Sequence, residues 1–300
     1  MLEHLPADHA RLTRGAFDLH VHGQPDLALG LANRGDDAAT ARLAVEYGIR
    51  GWVLKSHVWP TMDRARAIQR EFDPAEFTVF GSITLNPPAG GISAASVELA
   101  AAHGARMVFL PTWGAAADVE RAGYISRLLD GLVDDFAAYA RSNAQSAIGE
   151  DGRLTREAAT IVAICADRDL TLGTGHVSLR ESIAIAQRCE QLGVRLVVNH
   201  PLHYADSVAQ LAELGPAAVI EFSGGPLLHP DAASNVREVH AAIRELGPER
   251  VVLTSDAFSR WAPAAPEALR VLLEQLAYLG TAPDDLRTMA VDNPARAIGL

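Results

Sequence analysis

Cysteine is scarce in this 300-residue chain. Only Cys165 and Cys189 occur, both inside helix-like segments and without CxxC spacing. That excludes a cysteine zinc knuckle and points to packed thiols in a reducing compartment. No uninterrupted run of ~18 apolar residues exists, so no membrane-spanning helix is expected. The opening MLEHLPADHARLTRG lacks the apolar centre of a secretory signal, and the expected location is the cytoplasm. Basic charge is short as well: a formal net charge of −11 leaves no stripe for a phosphate backbone and argues against nucleic acid as a partner. Glycine-rich phosphate loops are missing too, since HGQPDL is no GxGxxG and no GxxxxGK[ST] occurs.

What is present is alternation. Apolar or β-branched runs (AFDLHVH, RGWVLKSH, FTVFGSITLN, ARMVFLPTW, LTLGTGHVS, RLVVNHP, AAVIEFSG, RVVLTSDAF) are interleaved with alanine-rich stretches whose apolar residues recur at three- and four-residue intervals. Gly48, Gly104, Gly193, Gly215 and Gly247 follow helical patterns and suit helix stops. Alternating β and α units imply a parallel sheet. Eight of them at this length favour a single-domain (β/α)₈ TIM barrel spanning residues 1–300, with an open doubly wound sheet as the runner-up. One connection is longer than the rest. Between strands four and five, residues 113–155 read as one long helix and then a small hairpin at Asp151-Gly152, an excursion placed to act as a lid, as packing decoration or as a subunit contact.

Chemistry-bearing residues gather at the strand ends. His20 and His22 alternate in FDLHVHGQPD and so project from one face of the first strand. Lys55 and His57 close the second, Asn86 the third, His176 the fifth and His200 the sixth; Glu221 lies in the seventh and Asp256 ends the eighth. A lone strand-end histidine is usually a satisfied packing residue. Several imidazoles gathered with a carboxylate are instead the donor set of zinc and its neighbours, so one or two divalent ions are expected.

The order HxH on strand one, His on strands five and six, and Asp on strand eight resembles the amidohydrolase superfamily of metal-dependent barrels. The stretches DLHVHGQPD, VLKSH, LNPPAGGIS, LPTW and GTGHVS are similar to a little-characterised hydrolase-like branch of it. The resemblance implies that His20, His22 and Asp256 bind a first metal. It also implies that His176 and His200 bind a second, or that His176 completes a single site while His200 contacts water or substrate. Zinc is the expected ion, with manganese or iron as alternatives. The strand-four bridging acid or lysine of binuclear relatives is absent from Phe109–Trp113. Lys55 is a candidate to fill that role as a carbamate, or to remain an ammonium that binds an anionic substrate or neutralises Glu221.

The implied reaction is hydrolysis of a C–N bond (amide or cyclic amide), a lactone or an ester of a small molecule, with Asp256 moving the proton. Decarboxylation or lyase chemistry, phosphoester cleavage and a non-catalytic metal site are the alternatives. His57, Asn86, the backbone of Gly90 and Gly91, Trp113, His203, Tyr204, Glu221 and Arg260 are candidate substrate contacts. A homodimer is a base-rate expectation.

Overall fold

The structure, a computed structural model, describes residues 10–29, 35–230, 232–259 and 261–300. Eight strands form one sheet in chain order: β1 (Phe17–His22), β2 (Gly51–Lys55), β3 (Thr78–Thr84), β4 (Ala105–Phe109), β5 (Thr171–Gly173), β6 (Leu196–Val198), β7 (Ala218–Ser223) and β8 (Val251–Thr254). The ladders β1–β2, β3–β4, β4–β5, β5–β6 and β7–β8 are all parallel. With helices alternating between them, this is the (β/α)₈ barrel topology expected from the sequence. The helices used below are α1 (Asp37–Glu46), α2 (Met62–Gln69), α3 (Ala94–Ala102), α4 (Ala116–Glu120), α5 (Tyr124–Asp130), α6 (Phe136–Ser142), α7 (Arg156–Asp167) and α8 (Leu179–Leu192). Among the described residues no helix is long and apolar enough to cross a membrane.

Two compact units make up the chain. The first comprises residues 1–55, 63–80 and 220–300 and holds β1, β2, β8 and most of β7. Every residue of β1 is buried, as a strand covered on both faces requires. Its register against β2 slips: Asp18 to Val21 is three steps, whereas the partners Trp52 to Leu54 are two. One extra residue is therefore accommodated beside His20, a bulge that re-aims side chains. The end of β8 is tied to β1, with Asp256 N–H donating to the His20 carbonyl at 2.9 Å.

The second unit comprises residues 56–62 and 81–219 and holds β4, β5, β6 and the end of β3. Its excursion departs from the expectation of one long helix: α4, α5 and α6 are three short ones. Left-handed backbone at Ala122 (φ 51°) and Asp135 (φ 58°) interrupts the helical run. The base is closed where Ala116 N–H donates to Gln145 O (2.8 Å) and Gln145 N–H to Gly114 O (2.9 Å). The hairpin at Asp151-Gly152 exists in minimal form, with an antiparallel bridge between Ile148 and Leu154.

Buried Glu181 then anchors the excursion's return. One of its oxygens accepts from Ser146 Oγ and Ala147 N, and the other completes the Ser178 capping box of α8. Such a cap is worth ~1 kcal/mol. At the far end Gly193 (φ 68°) stops α8 in the left-handed region that glycine enters freely. Cys165 and Cys189 are free, buried thiols, and burial pushes Cys189 up to about 12.

Candidate metal centre

In the first unit, β1 delivers two imidazoles to one acid. His22 Nε2 lies 2.9 Å and His20 Nε2 3.2 Å from Asp256 Oδ1, and the two rings are 5.2 Å apart. The opposite nitrogen of each ring is held by a carboxylate. His20 Nδ1 donates to Glu221 Oε1 and His22 Nδ1 to Asp26 Oδ2, both at 2.8 Å. That arrangement fixes the tautomer and turns the Nε2 electron pairs toward Asp256. Glu221 is itself steadied by Ser223 Oγ at 2.9 Å.

Asp256 reaches the cluster through an unusual backbone, with φ 42° just past the end of β8. Left-handed backbone at a residue with a side chain costs on the order of 1–3 kcal/mol and tends to mark functional positions. Gly225 makes room for that turn, because a Cβ there would collide with the Asp256 carbonyl oxygen. Asp18 supports the same junction, accepting from His20 N (3.0 Å) and Ser255 N (3.1 Å). Burial pushes Asp18 up to about 6 despite those bonds.

Lys55 is the only lysine in the sequence, and it is 1% exposed. Its Nζ lies 2.9 Å from His20 Nε2. Burial lowers its pKa, opposed by the charges of Asp256, Glu221 and Asp26. Burial likewise lowers His20, with Lys55 adding to the effect. For His22 burial is outweighed by Asp26 and Asp256, and its pKa is raised.

The donor set fits a divalent cation. His20, His22 and Asp256 each offer a ligand atom, all within 4.8 Å of one another, and all three residues are buried. Glu221, Asp26 and Asp256 all act on buried Lys55, and carboxylates gathered in such a site favour a cation among them.

The second unit holds imidazoles of its own. His176 follows β5 by three residues, and its Nδ1 donates to Asp118 Oδ1 at 2.9 Å. Its ring meets His200 edge-on at 5.1 Å, and His200 stacks on His203 at 5.4 Å. His200 is left-handed (φ 48°) where the chain leaves β6. Tyr204 donates to the same Asp118 oxygen at 3.3 Å, with Arg121 over its ring at 5.1 Å. Burial, reinforced by Asp118, raises the Tyr204 hydroxyl well above 10.

Other expected substrate contacts are engaged by the protein itself. Asn86 Oδ1 accepts from Thr112 N and Gly114 N, while its amide donates to His57 O and Thr112 Oγ1. Gly91 N–H donates to Asn86 O, and Gly90 N–H to Pro87 O. Trp113 is 2% exposed with Nε1 bonded to His57 O. These groups brace a turn, as backbone polar groups must when buried. Glu221, another expected substrate contact, is bonded to His20 Nδ1 and Ser223 Oγ. Arg260 lies outside the described residues.

Residues 15–221 match the profile of a family of unknown function, a span that contains His20, His22, Lys55, His176, His200 and Glu221. The chain belongs to DUF6282. No curated protein matches this DUF6282 chain in sequence. Solved structures do match it in fold. A phosphotriesterase homology protein from Escherichia coli, with phosphate in its active site, superposes with a TM-score of 0.62 at 13% identity, covering 95% of this chain and 99% of that one. An amidohydrolase from Burkholderia multivorans with bound HEPES gives 0.58 at 16% identity, over 95% and 99%. A 2,6-dihydroxybenzoate decarboxylase gives 0.54 at 12%, over 96% and 100%. At these identities what is shared is the barrel.

Proposed function

We propose that this DUF6282 protein is a metal-dependent hydrolase of amidohydrolase type, acting on an amide, cyclic amide, lactone or ester of a small molecule. The observation that carries the reading is the convergence of His20 Nε2 and His22 Nε2 on Asp256 Oδ1, with Glu221 and Asp26 behind the rings. His20, His22 and Asp256 would hold the ion, and zinc is the expected metal. A divalent cation bound there supplies acidity to a water molecule and polarises a carbonyl.

The chain's own groups do the rest. Glu221 and Asp26 keep the two imidazoles as electron-pair donors. Asp256 is the base that takes the proton of the attacking water and returns it to the leaving group. His176 and His200 are assigned to the same chemistry, as ligands of a second ion, or with His176 completing a single site and His200 contacting water or substrate. Hydrolytic barrels among the structural neighbours support this reading as fold analogy.

The test is to strip the protein with chelator and reload it with zinc, manganese or iron(II). Turnover of a panel of amides, lactones, esters, phosphoesters and aromatic carboxylic acids is then measured. Metal-dependent hydrolysis of a carbonyl substrate is expected. Stoichiometric metal with no turnover anywhere on the panel would leave a binding protein instead. Release of carbon dioxide from the carboxylic acids would favour decarboxylation, a reading to which the missing acid on β4 and the buried Lys55 amine lend weight. Lys55 then becomes the proton donor.

A further inference from the structure

The excursion between β4 and β5 carries a residue that the hydrolase reading does not use. Asp118 sits in α4, the first helix of that excursion, and is 2% exposed. An acid in a five-residue helix on an added loop ordinarily faces water. This one is turned inward, and its Oδ1 accepts from His176 Nδ1 at 2.9 Å and from Tyr204 OH at 3.3 Å. Burial alone would raise its pKa, but the neighbouring imidazole overrides that and holds the carboxyl below its ordinary value.

Space around the carboxylate is reserved by Gly123. A Cβ at that position would overlap both Asp118 carboxylate oxygens. The Gly123 backbone (φ −54°, ψ 156°) is open to any residue, so the glycine answers to the carboxylate and not to conformation. Arg121 lies over the Tyr204 ring and holds the second donor in place. Asp118, Arg121 and Gly123 of the excursion are thus fitted to His176 and Tyr204 around a single carboxylate.

We propose that Asp118 is the positioning residue of His176, holding its Nδ1 protonated so that Nε2 is presented as an electron-pair donor. This rests on the hydrolase reading only in taking His176 as a site residue. The excursion thereby gains a defined role, with α4 forming part of the frame that orients an imidazole. A ligand or base histidine needs this second partner because an unconstrained ring exchanges tautomers and rotates. The parallel with Glu221 and His20 is chemical, since both imidazoles use Nδ1 toward a carboxylate.

The experiment reads the tautomer directly in metal-free protein. Histidine ring nitrogens are labelled with ¹⁵N and His176 is assigned from its loss in His176→Gln. Spectra are taken about two pH units above the ordinary histidine pKa. The native chain is expected to show His176 as the Nδ1–H tautomer. Asp118→Ala is expected to lose that state, and Asp118→Asn to convert it to Nε2–H, because the amide can donate to Nδ1. Gly123→Ala displaces the carboxylate without removing it and is expected to weaken the Nδ1–H state while circular dichroism stays native. It carries the test if Asp118→Ala fails to fold. Turnover by the reloaded Asp118→Asn enzyme is expected to fall roughly 10–100-fold. An Nε2–H tautomer in the native chain, or an unchanged His176 signal in both Asp118→Asn and Gly123→Ala, overturns the proposal. Failure of the native protein to bind metal would sink the hydrolase reading while leaving the tautomer result intact.

Discussion

The imidazoles of the two units are the same residue type in different electrostatic surroundings. In the first unit, His20 and His22 each have a carboxylate at Nδ1 and share a third at Nε2, with Lys55 alongside. In the second, His176 has one carboxylate at Nδ1 and packs against the rings of His200 and Tyr204. Electron pairs and negative charge aimed at one point make a cation site. One buttressed imidazole among aromatic rings makes a donor of fixed orientation, suited to a ligand or a substrate contact as its surroundings complete it. Among the described residues, His20 and His22 share a carboxylate at Nε2 and His176 does not.

The largest effect that would break this contrast comes from removing the shared acid or a ligand ring. Asp256→Ala and His22→Ala are expected to reduce bound metal from stoichiometric to background, as measured by elemental analysis, and to abolish turnover. Metal retained in both would put the ion elsewhere. Next is Glu221→Gln, which keeps the shape behind His20 and removes the charge. Metal affinity should weaken roughly 10–100-fold by titration against a chelator.

Lys55 sharpens the comparison further, because no other lysine can confuse the readout. If it bridges ions as a carbamate, ¹³C-bicarbonate should give a single carbamate resonance and Lys55→Ala should lose metal. If it acts as an ammonium, no resonance appears and Lys55→Ala weakens substrate affinity at constant metal content. The smallest effect is on stability alone. Asn86→Ala leaves several buried donors and acceptors unsatisfied and should cost about 1–3 kcal/mol in denaturant unfolding, with the metal content of the first cluster unaltered.

Much of this was legible in the residues. Period and alternation located all eight strands, because buried parallel strands read as apolar runs and glycines mark the helix ends. The i, i+2 rule brought His20 and His22 onto one face despite the irregularity in β1. What stayed hidden was long-range or conformational. Asp26 stands four residues beyond His22 in a stretch whose histidines drew attention, and a carboxylate so close behind HxH could have been read as its partner. Asp18 carries the same kind of signal, two residues before His20. Asp118 carries none: AADVE reads as an ordinary helix surface, and only the fold turns it toward a histidine 58 positions away.

Asn86, Gly91 and Trp113, expected as substrate contacts, have polar groups bonded within the protein. Polar and glycine residues at a strand end look alike in sequence whether they serve a ligand or brace a turn, and hydrogen-bond partners decide which. The single long helix expected after Trp113 failed for a local reason, since Ala122 and Asp135 adopt left-handed backbone that helical periodicity does not register.

The most direct measurement is anomalous diffraction from a crystal of the chelator-treated protein reloaded with zinc. A strong peak about 2.0–2.2 Å from His20 Nε2, His22 Nε2 and an Asp256 carboxylate oxygen is the expected result. Full occupancy at another position, with His20, His22 and Asp256 all outside the ion's coordination shell, would contradict the account.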